Sequence, residues 1–352
     1  MDTMKAGIIL EPGRAEVREI SRPEPGPGEV LVRLEACALC TLEQRAFTGI
    51  KKFPMPYLGG HEVAGRIEKT GPGVDPRWTP GLKVAVRTIT RCGQCRYCHL
   101  GEDTMCERIG NAGRQHPEVE GIGGLAEYFL ASPGMLYVLD EKVLPEIGAL
   151  TEPLACVLHS MEQAGVDFGD IVVVLGAGIM GQLHLMLSQL RGASVIMVET
   201  DPVRLSDAQK LGAWQTIDPS RENVADSVRE LTGGDGADVV IVTPAISALV
   251  EQSVQMVAKN GRVVLYGSFH PDTPVCLSPN KIHYSQIHLT GAVNPGSRDF
   301  YRAARMISQG SIDLSGFVQG IHSLDQIQEA FEDATGNAKY RVVVRMNTAV
   351  GS

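Results

Sequence analysis

The sequence lacks a long uninterrupted apolar segment, and its charge balance is not basic. Its most apolar stretch, IVVVLGAGIMGQLHLMLSQL, contains three glycines, a histidine and two glutamines, whereas a transmembrane helix needs about 20 mostly apolar residues. The first residues, MDTMKAGIILEPGRAEVRE, do not resemble a secretory signal, because Glu and Arg interrupt the short apolar run. The formal net charge of -9 argues against a nucleic-acid-binding surface, which needs clustered Lys and Arg. We therefore expect a soluble, cytoplasmic protein whose partners include neither membrane nor nucleic acid.

Internal repeats and low-complexity segments are also absent from the sequence. The 352 residues correspond to about two domains of ordinary size. Hydrophobic residues make up 43% of the chain and charged residues 21%, so a sizeable packed core is expected.

The first part of the chain, residues 1–147, is rich in Gly, Pro and short β-like runs. Examples of such runs are EVLVRLEAC, LKVAVRTI and LAEYFLA, and turn-forming segments such as RPEPGPGE and TGPGVDP separate them. This pattern predicts an antiparallel, partly barrel-like domain.

The pattern changes near Glu146. A helical segment, EIGALTEPLACVLHSMEQAG, is followed by strand, helix and strand, and then by the strand-like runs ADVVIVTP and GRVVLYGSF. Because buried parallel strands are continuous apolar runs, residues 148–289 are predicted to form a doubly wound α/β domain with a parallel sheet. A short helix around Phe300–Ser308 and a terminal strand, YRVVVRM, are predicted to return to the first domain, so that residues 290–352 complete it.

The motif GAGIMG, from Gly176 to Gly181, fits the G-x-G-x-x-G pattern of dinucleotide-binding loops. It follows the strand IVVVL and begins the helix IMGQLHLMLSQL, which is the context the pattern requires. Gly176 permits the tight turn, Gly178 lets the backbone approach a pyrophosphate, and Gly181 allows the helix to pack closely on the sheet. The first helical residues, Ile179 and Met180, offer free N–H groups to the phosphates.

The second strand of this unit ends at Glu199, 18 residues after Gly181. An acid at this place can accept hydrogen bonds from both ribose hydroxyls of NAD and would repel the 2′-phosphate of NADP. The alternative is a surface glutamate in a loop. Arg204 could serve a 2′-phosphate, so NADP stays the second cofactor hypothesis and NAD is favoured.

Four of the eight cysteines lie between positions 92 and 106, with the spacing C-x2-C-x2-C-x7-C. Such crowding in a large chain without a secretion signal indicates a metal rather than disulfides. Four thiolates form a closed tetrahedral shell that is typical of structural zinc, although an iron–sulfur cluster takes the same ligands. The ligands of this cysteine lobe are Cys92, Cys95, Cys98 and Cys106.

Together with Cys40, GHEVAG, GGLAEY and LTEPLACVLHS, these motifs resemble the zinc-dependent medium-chain dehydrogenases, the family of alcohol, sorbitol and threonine dehydrogenases. The motifs cover nearly the whole chain in the expected order. The resemblance implies an α/β protein in which a GroES-like antiparallel β catalytic domain is joined to a Rossmann NAD-binding domain.

The resemblance also implies a catalytic zinc, for which alcohol dehydrogenases are the standard example. Cys40 and His61 match the first two ligands, and Glu62 matches an adjacent acid that can approach or bind the metal. The alternatives are a buried thiol for Cys40 and a satisfied core or turn histidine for His61. Glu152 falls where polyol dehydrogenases carry a ligand Glu and alcohol dehydrogenases a Cys, which favours the polyol branch. The alternative for Glu152 is an acid that stabilises a helix N-terminus.

One departure from the family pattern concerns proton transfer. Relatives carry a Ser or Thr two residues after the zinc cysteine, where this chain has Leu42, which cannot pass a proton. Thr41 is one position off and is expected to point elsewhere. We hypothesise that protons leave through Glu62, Glu152 or water. Glu43 falls where relatives carry an Asp that hydrogen-bonds the zinc histidine, so it is expected to orient His61.

By the same resemblance, the chain binds two zinc ions and assembles as a homodimer or homotetramer. Ser268 and Asn294 belong to segments that flank the nicotinamide. The predicted reaction is zinc-assisted hydride transfer between NAD and a secondary alcohol, which is a polyol, cyclitol or sugar derivative. One alternative is an NAD(P)-dependent dehydrogenase or reductase of simpler alcohols and carbonyls, and another is a non-catalytic cofactor-binding homologue.

Overall fold

The computed structural model describes residues 2–111, 116, 118–336 and 340–346. Their contacts divide the chain into two compact units, whose described residues fall in the ranges 1–155 with 296–352 and 156–295. The sequence places the corresponding changes at 147/148 and 289/290. Of the range 290–352, residues 337–339 and 347–352 lie outside the described part of the chain.

The first unit begins with strands joined by turns and short helices. The strands are β1 (Thr3–Glu11), β2 (Arg14–Ser21), β3 (Val30–Ala38), β4 (Tyr57–Leu58), β5 (Glu62–Thr70), β6 (Lys83–Arg87), β7 (Ile89–Thr90), β8 (Gly110–Asn111), β9 (Glu120–Gly121), β10 (Tyr128–Ala131) and β11 (Leu136–Val138). The helices are α1 (Thr41–Phe47), α2 (Arg96–His99) and α3 (Pro145–Ala149), and α4 (Thr151–Ala164) runs across the boundary at 155/156 into the second unit.

The second unit alternates strands and helices. Its strands are β12 (Ile171–Leu175), β13 (Ser194–Val198), β14 (Gln215–Ile217), β15 (Ala237–Val242), β16 (Val257–Leu265) and β17 (His288–Gly291). Its helices are α5 (Ile179–Leu190), α6 (Pro202–Lys210), α7 (Val224–Leu231), α8 (Ser247–Met256) and α9 (Pro279–Ser285). The chain then re-enters the first unit with α10 (Ser297–Ser308), β18 (Val318–Ser323), α11 (Ile327–Gly336) and β19 (Arg341–Arg345).

The main sheet of the first unit has the strand order β11-β6-β5-β3-β19-β18, and β10 also pairs with β3. Neighbours in it are antiparallel except β18 and β19, which are parallel. A smaller sheet has the order β2-β1-β4-β9, with β4 and β9 parallel. The predicted antiparallel domain is therefore confirmed in its main features, with two parallel pairs, β4 with β9 and β18 with β19.

The core of this unit lies between the sheets and α11. Fully buried side chains such as Ile8, Leu34, Phe129 and Phe331 fill it. The rings of Phe47 and Phe331 stack at a centroid distance of 4.8 Å, which fixes α1 against α11.

All neighbouring strands of the second unit are parallel, in the order β14-β13-β12-β15-β16-β17. Numbered from β12, this is the 3-2-1-4-5-6 order of dinucleotide-binding domains. The predicted doubly wound sheet is confirmed. The central strand IVVVL is apolar throughout because helices cover both faces of such a sheet. None of the described helices has the length and apolar character that a bilayer crossing requires.

Candidate active site and metal centres

The glycine-rich loop follows β12 directly. Gly176 has a φ of +88°, and a Cβ placed there would lie 2.6 Å from Oγ1 of Thr243, so a side chain would be both strained and crowded. A Cβ on Gly181 would lie 1.9 Å from the carbonyl oxygen of Gly176. Gly178 has open space around its Cβ position at the first turn of α5. The loop therefore brings the helix N-terminus and an uncovered stretch of backbone together, which suits a pyrophosphate.

Glu199 stands at the carboxyl end of β13 and reaches back to this loop. Its Oε2 accepts a hydrogen bond from the Ala177 N–H at 2.9 Å, and its Oε1 accepts from the N–H groups of Thr200 and Asp201. Partial burial opposes the charge of Glu199, but these N–H donors lower its pKa. An ionised acid is therefore held beside the loop.

The remaining residues predicted to contact the cofactor also follow strands of this sheet. Nη1 of Arg204 lies 3.8 Å from Oε2 of Glu199. Ser268 comes after β16, and its Oγ lies 3.0 Å from Nε2 of His270. Asn294 comes after β17 and has a left-handed backbone with a φ of +52°. Because the carboxyl ends of parallel strands meet at one edge, these segments and the glycine-rich loop share the edge where such sheets bind ligands.

In the first unit, strand pairing brings Cys40 to His61 and Glu62. Strand β3 ends at Ala38, and its antiparallel neighbour β5 begins at Glu62 directly opposite. Cys40 follows β3 as the N-cap of α1, and His61 precedes β5. Potential ligand atoms of these three residues all lie within 4.8 Å of one another. A thiolate, an imidazole and a carboxylate at this spacing fit a zinc ion.

Glu43 orients the histidine. It is fully buried, and its Oε1 accepts hydrogen bonds from Nδ1 of His61 at 2.8 Å and from the Gly60 N–H at 3.0 Å. Burial opposes the charge of Glu43, but His61 and these hydrogen bonds lower its pKa. Because Nδ1 donates to Glu43, Nε2 is the nitrogen left to bind a metal. This is the contact expected for Glu43 from its position after Cys40.

Sequence reasoning missed Arg341. Its guanidinium donates to both oxygens of Glu62, from Nε at 2.9 Å and from Nη2 at 2.8 Å, and Nη2 lies 3.8 Å from Sγ of Cys40. Burial opposes its charge, but Glu62, Cys40 and Glu152 raise the pKa of Arg341. The signal in the sequence was an arginine at the start of an otherwise apolar strand, YRVVVRM.

Glu152 is not part of the cluster of Cys40, His61 and Glu62. It lies half-buried in the first turn of α4, and its charge acts on Arg341. A place for Glu152 as a further ligand therefore stays a prediction.

The hydroxyl of Thr41 lies closer to the cluster than expected. Its Oγ1 is 3.8 Å from Sγ of Cys40, whereas the sequence interpretation had it pointing elsewhere. Leu42 is half-buried. The expectation failed because Cys40 is the N-cap of α1, so that Thr41 begins the helix and its side chain can turn back toward the cap residue.

The four cysteines of the lobe converge as the spacing predicted. Their sulfur atoms lie within 4.8 Å of one another. Sγ of Cys106 accepts from the Cys92 N–H at 3.3 Å and from the Arg108 N–H at 3.4 Å. Hydrogen bonds from the backbone of Cys98 and Glu107 lower the pKa of Cys95 to about 6. Four sulfurs without an open position fit a structural zinc ion.

Asp103 fastens this lobe to the rest of the first unit. Its Oδ2 accepts from Nη1 of Arg87 at 2.8 Å and from Oγ of Ser297 at 2.6 Å. Arg87 ends β6 and Ser297 begins α10. The carboxylate thus joins the lobe to a strand of the main sheet and to the N-terminus of a helix, where a negative charge is favourable.

Comparison with known proteins agrees with this fold and these candidate sites. The model of the alcohol dehydrogenase GroES-like domain matches residues 26–141, and that of the zinc-binding dehydrogenase matches residues 180–309. The L-threonine 3-dehydrogenase of Pyrococcus horikoshii is 30% identical, over 94% of this chain and 95% of its own. The D-arabitol-phosphate dehydrogenase of Enterococcus avium is 28% identical, over 98% of both chains.

Among solved structures, a protein of Sinorhizobium meliloti 1021 described as a zinc-binding dehydrogenase, bound to NADP, superposes with a TM-score of 0.90 and 28% identity. The match covers 98% of this chain and 100% of that one. The chain therefore belongs to the zinc-dependent medium-chain dehydrogenase family, as the sequence motifs predicted. Its activity is that of an alcohol or polyol dehydrogenase that uses a nicotinamide cofactor.

Proposed function

We propose that this enzyme transfers a hydride between NAD and a secondary alcohol of a polyol, cyclitol or sugar derivative. The observation that carries the proposal is the convergence of Cys40, His61 and Glu62 on one point, with Glu199 held ionised beside the glycine-rich loop. The relatives named for D-arabitol phosphate and L-threonine support a hydroxyl-bearing substrate with further polar groups.

The donor set suits zinc, which Cys40, His61 and Glu62 would hold with Glu152 as a further candidate ligand. When bound, zinc acts as a Lewis acid toward the alcohol oxygen, and NAD accepts the hydride. The protein's own contribution is to fix the ligand atoms. Glu43 holds His61 in one tautomer and orientation, and Arg341 holds both oxygens of Glu62.

We further propose that the proton of the alcohol leaves past Thr41. Glu62 is less suited to this task than the sequence suggested, because Arg341 already occupies both of its oxygens. The Thr41 hydroxyl is exposed and lies beside the Cys40 sulfur, so it can receive a proton and pass it to water.

The cofactor preference follows from Glu199. Its carboxylate is ionised and can accept from ribose hydroxyls, whereas a 2′-phosphate would meet a like charge. The measurement is the apparent affinity for NAD and NADP in the wild type and in Glu199→Ala. We expect the wild type to prefer NAD and the variant to lose that preference. An unchanged ratio of affinities would assign the choice of cofactor to other residues.

The experiment that tests the function is NAD+ reduction across a panel of polyols, cyclitols, sugar acids and simple secondary alcohols, with metal content measured on the same sample. We expect two zinc ions per chain, and turnover that Cys40→Ala abolishes but Cys276→Ala, a change at an exposed cysteine, leaves intact. Preferred turnover of simple alcohols with NADP would favour the reductase alternative. A single zinc and no turnover would favour a non-catalytic homologue.

A further inference from the structure

Helix α5 carries two fully buried polar residues on one face. The helix begins at the glycine-rich loop, and its sequence, IMGQLHLMLSQL, is mostly apolar. His184 and Ser188 within it are nevertheless fully buried, and their spacing of four positions places them on the same face. A buried polar side chain costs free energy unless it is hydrogen-bonded, so each of the two needs a partner.

Helix α4 supplies a partner for both residues. Nε2 of His184 lies 2.9 Å from Oγ of Ser160, which is itself fully buried. One turn further along α5, Oγ of Ser188 donates to Sδ of Met161 at 3.7 Å. These contacts hold α4 against α5 within the second unit.

His184 differs from Ser188 because its second nitrogen bonds within its own helix. Nδ1 lies 2.7 Å from the carbonyl oxygen of Met180. A carbonyl oxygen can only accept, so Nδ1 carries the proton and donates, and Nε2 accepts from the Ser160 hydroxyl. Burial lowers the pKa of His184 to about 4, so at neutral pH the imidazole is uncharged and this arrangement of donors and acceptors is fixed.

The Met180 carbonyl belongs to the first turn of α5, beside the glycine-rich loop. The helical hydrogen bonds of α5 begin with the Gln182 N–H, which donates to the Gly178 carbonyl at 2.9 Å. The N–H groups of Ile179, Met180 and Gly181 precede that bond and are the ones that a pyrophosphate would meet. The Gly181 N–H shares one planar peptide group with the Met180 carbonyl, so a contact that orients the carbonyl also orients this N–H.

The hydrogen bond from His184 acts on this peptide group in two ways. In a regular helix the Met180 carbonyl accepts from the N–H of His184, and the Nδ1 donor is added to that bond. A further donor at the oxygen polarises the peptide and strengthens its N–H as a donor to an anion. Direction matters as well, because a Cβ on Gly181 would lie only 1.9 Å from the carbonyl oxygen of Gly176. A rotation of this peptide would therefore disturb the loop.

The ring of His184 also contacts the sheet through Tyr266. The two rings meet edge to face at a centroid distance of 4.9 Å. Tyr266 directly follows β16, and its N–H donates at 3.0 Å to the carbonyl of Val242, the last residue of β15. The imidazole is thus packed between α4, α5 and the carboxyl end of the sheet, and turning it over would break both of its hydrogen bonds.

We propose that His184, held by Ser160, is a positioning residue for the dinucleotide cofactor, because it fixes the Met180–Gly181 peptide in the orientation that binds the pyrophosphate. The inference rests on the proposed function, in which the glycine-rich loop holds the pyrophosphate of NAD. His184 acts through the peptide and not by touching the cofactor, since its own side chain is fully buried.

Cofactor binding to variants tests the proposal. NADH is titrated by the fluorescence of its nicotinamide ring, and ADP-ribose and adenosine are titrated by displacement of NADH. ADP-ribose carries the pyrophosphate and adenosine does not. His184→Phe keeps a ring but neither nitrogen, and we expect it to weaken ADP-ribose binding about tenfold while the affinity for adenosine changes by less than about twofold.

Two further variants show whether Ser160 acts through His184. Ser160→Ala should weaken ADP-ribose binding by a smaller factor, about threefold, because the bond to Met180 remains. The double variant Ser160→Ala/His184→Phe should bind ADP-ribose as His184→Phe does, because the two residues form one unit. In steady-state kinetics the KM for NAD should rise in His184→Phe, with little change in kcat at saturating NAD.

The matched control is Ser188→Ala, which removes the neighbouring contact between the same two helices and should leave both affinities as in the wild type. Unchanged ADP-ribose binding in His184→Phe, or equal weakening of ADP-ribose and adenosine, would reduce His184 to a packing residue and overturn the proposal. If His184→Phe does not fold, Ser160→Ala decides by the same two criteria.

The same titrations separate this inference from the proposed function. A wild type that binds ADP-ribose but oxidises none of the alcohols refutes the proposed function and not the role of His184. A wild type that does not bind ADP-ribose refutes both.

Discussion

Replacing Arg341 with methionine tests the candidate active site through stability. Both members of the Arg341–Glu62 pair are buried, with 4% and 0% of their side chains exposed. The variant leaves the Glu62 carboxylate buried without the charged guanidinium that donates two hydrogen bonds to it. Breaking a buried pair in this way costs about 3 to 5 kcal/mol. For a unit of this size, a loss of 1 kcal/mol in the free energy of unfolding lowers Tm by about 2 to 4 °C, so we expect Tm to fall by roughly 6 to 20 °C.

The assay is urea and thermal unfolding of the zinc-loaded and the chelated protein, followed by circular dichroism. The double variant Glu62→Gln/Arg341→Met should recover part of the loss, since it no longer buries an unpaired charge. The matched control is Arg14→Met, at an exposed pair with Glu16, where the change should stay below about 1 kcal/mol. The reasoning is refuted if Arg341→Met loses less than about 1 kcal/mol of unfolding free energy. It is also refuted if the changes in Glu62→Gln and Arg341→Met simply add up in the double variant.

Three further predictions concern other parts of the two units. Burial lowers the pKa of His184 to about 4, so the contribution of the neutral imidazole to stability is complete above pH 6.5 and is lost as the pH falls from 6.5 to 4. The expected loss in the free energy of unfolding is on the order of 3 kcal/mol. The urea midpoint of His184→Asn should therefore depend less on pH over this range than that of the wild type, and an equal dependence would contradict the prediction. Thr41→Ala should lower kcat and alter its pH profile, whereas Leu42→Ser should do little; the opposite order would return the proton path to position 42. Asp103→Asn should leave the zinc content at two ions per chain but lower Tm, because the cysteine lobe loses its charged contact with Arg87. An unchanged Tm would mean that this contact does not stabilise the lobe.

The sequence predicted best those features whose residues lie close together in the chain. The four cysteines of the lobe and the glycine-rich loop each lie within one short segment, where the required geometry is set by neighbouring residues. The parallel sheet of the second unit was also predictable, because its buried strands are continuous apolar runs such as IVVVL. The hydrogen bond from His61 to Glu43 could be expected from the motif that follows Cys40.

The main feature that the sequence did not predict depends on contacts between residues far apart in the chain. Arg341 reaches Glu62 because β19 lies beside β3, and β3 beside β5, a register that no local pattern records. The parallel pairing of β18 with β19 is more local, because these consecutive strands are joined through α11. Thr41 was misjudged because its direction depends on where α1 begins.

The pairing of Arg341 with Glu62 has a consequence for synthesis of the chain. The two residues are 279 positions apart, so the carboxylate lacks this partner until Arg341 has been synthesised and has left the ribosome. The second unit, residues 156–295, is continuous and can form its sheet earlier. The first unit cannot be completed before β19 is made, so a chain truncated before Arg341 could form the sheet of the second unit while Glu62 still lacked its ion-pair partner.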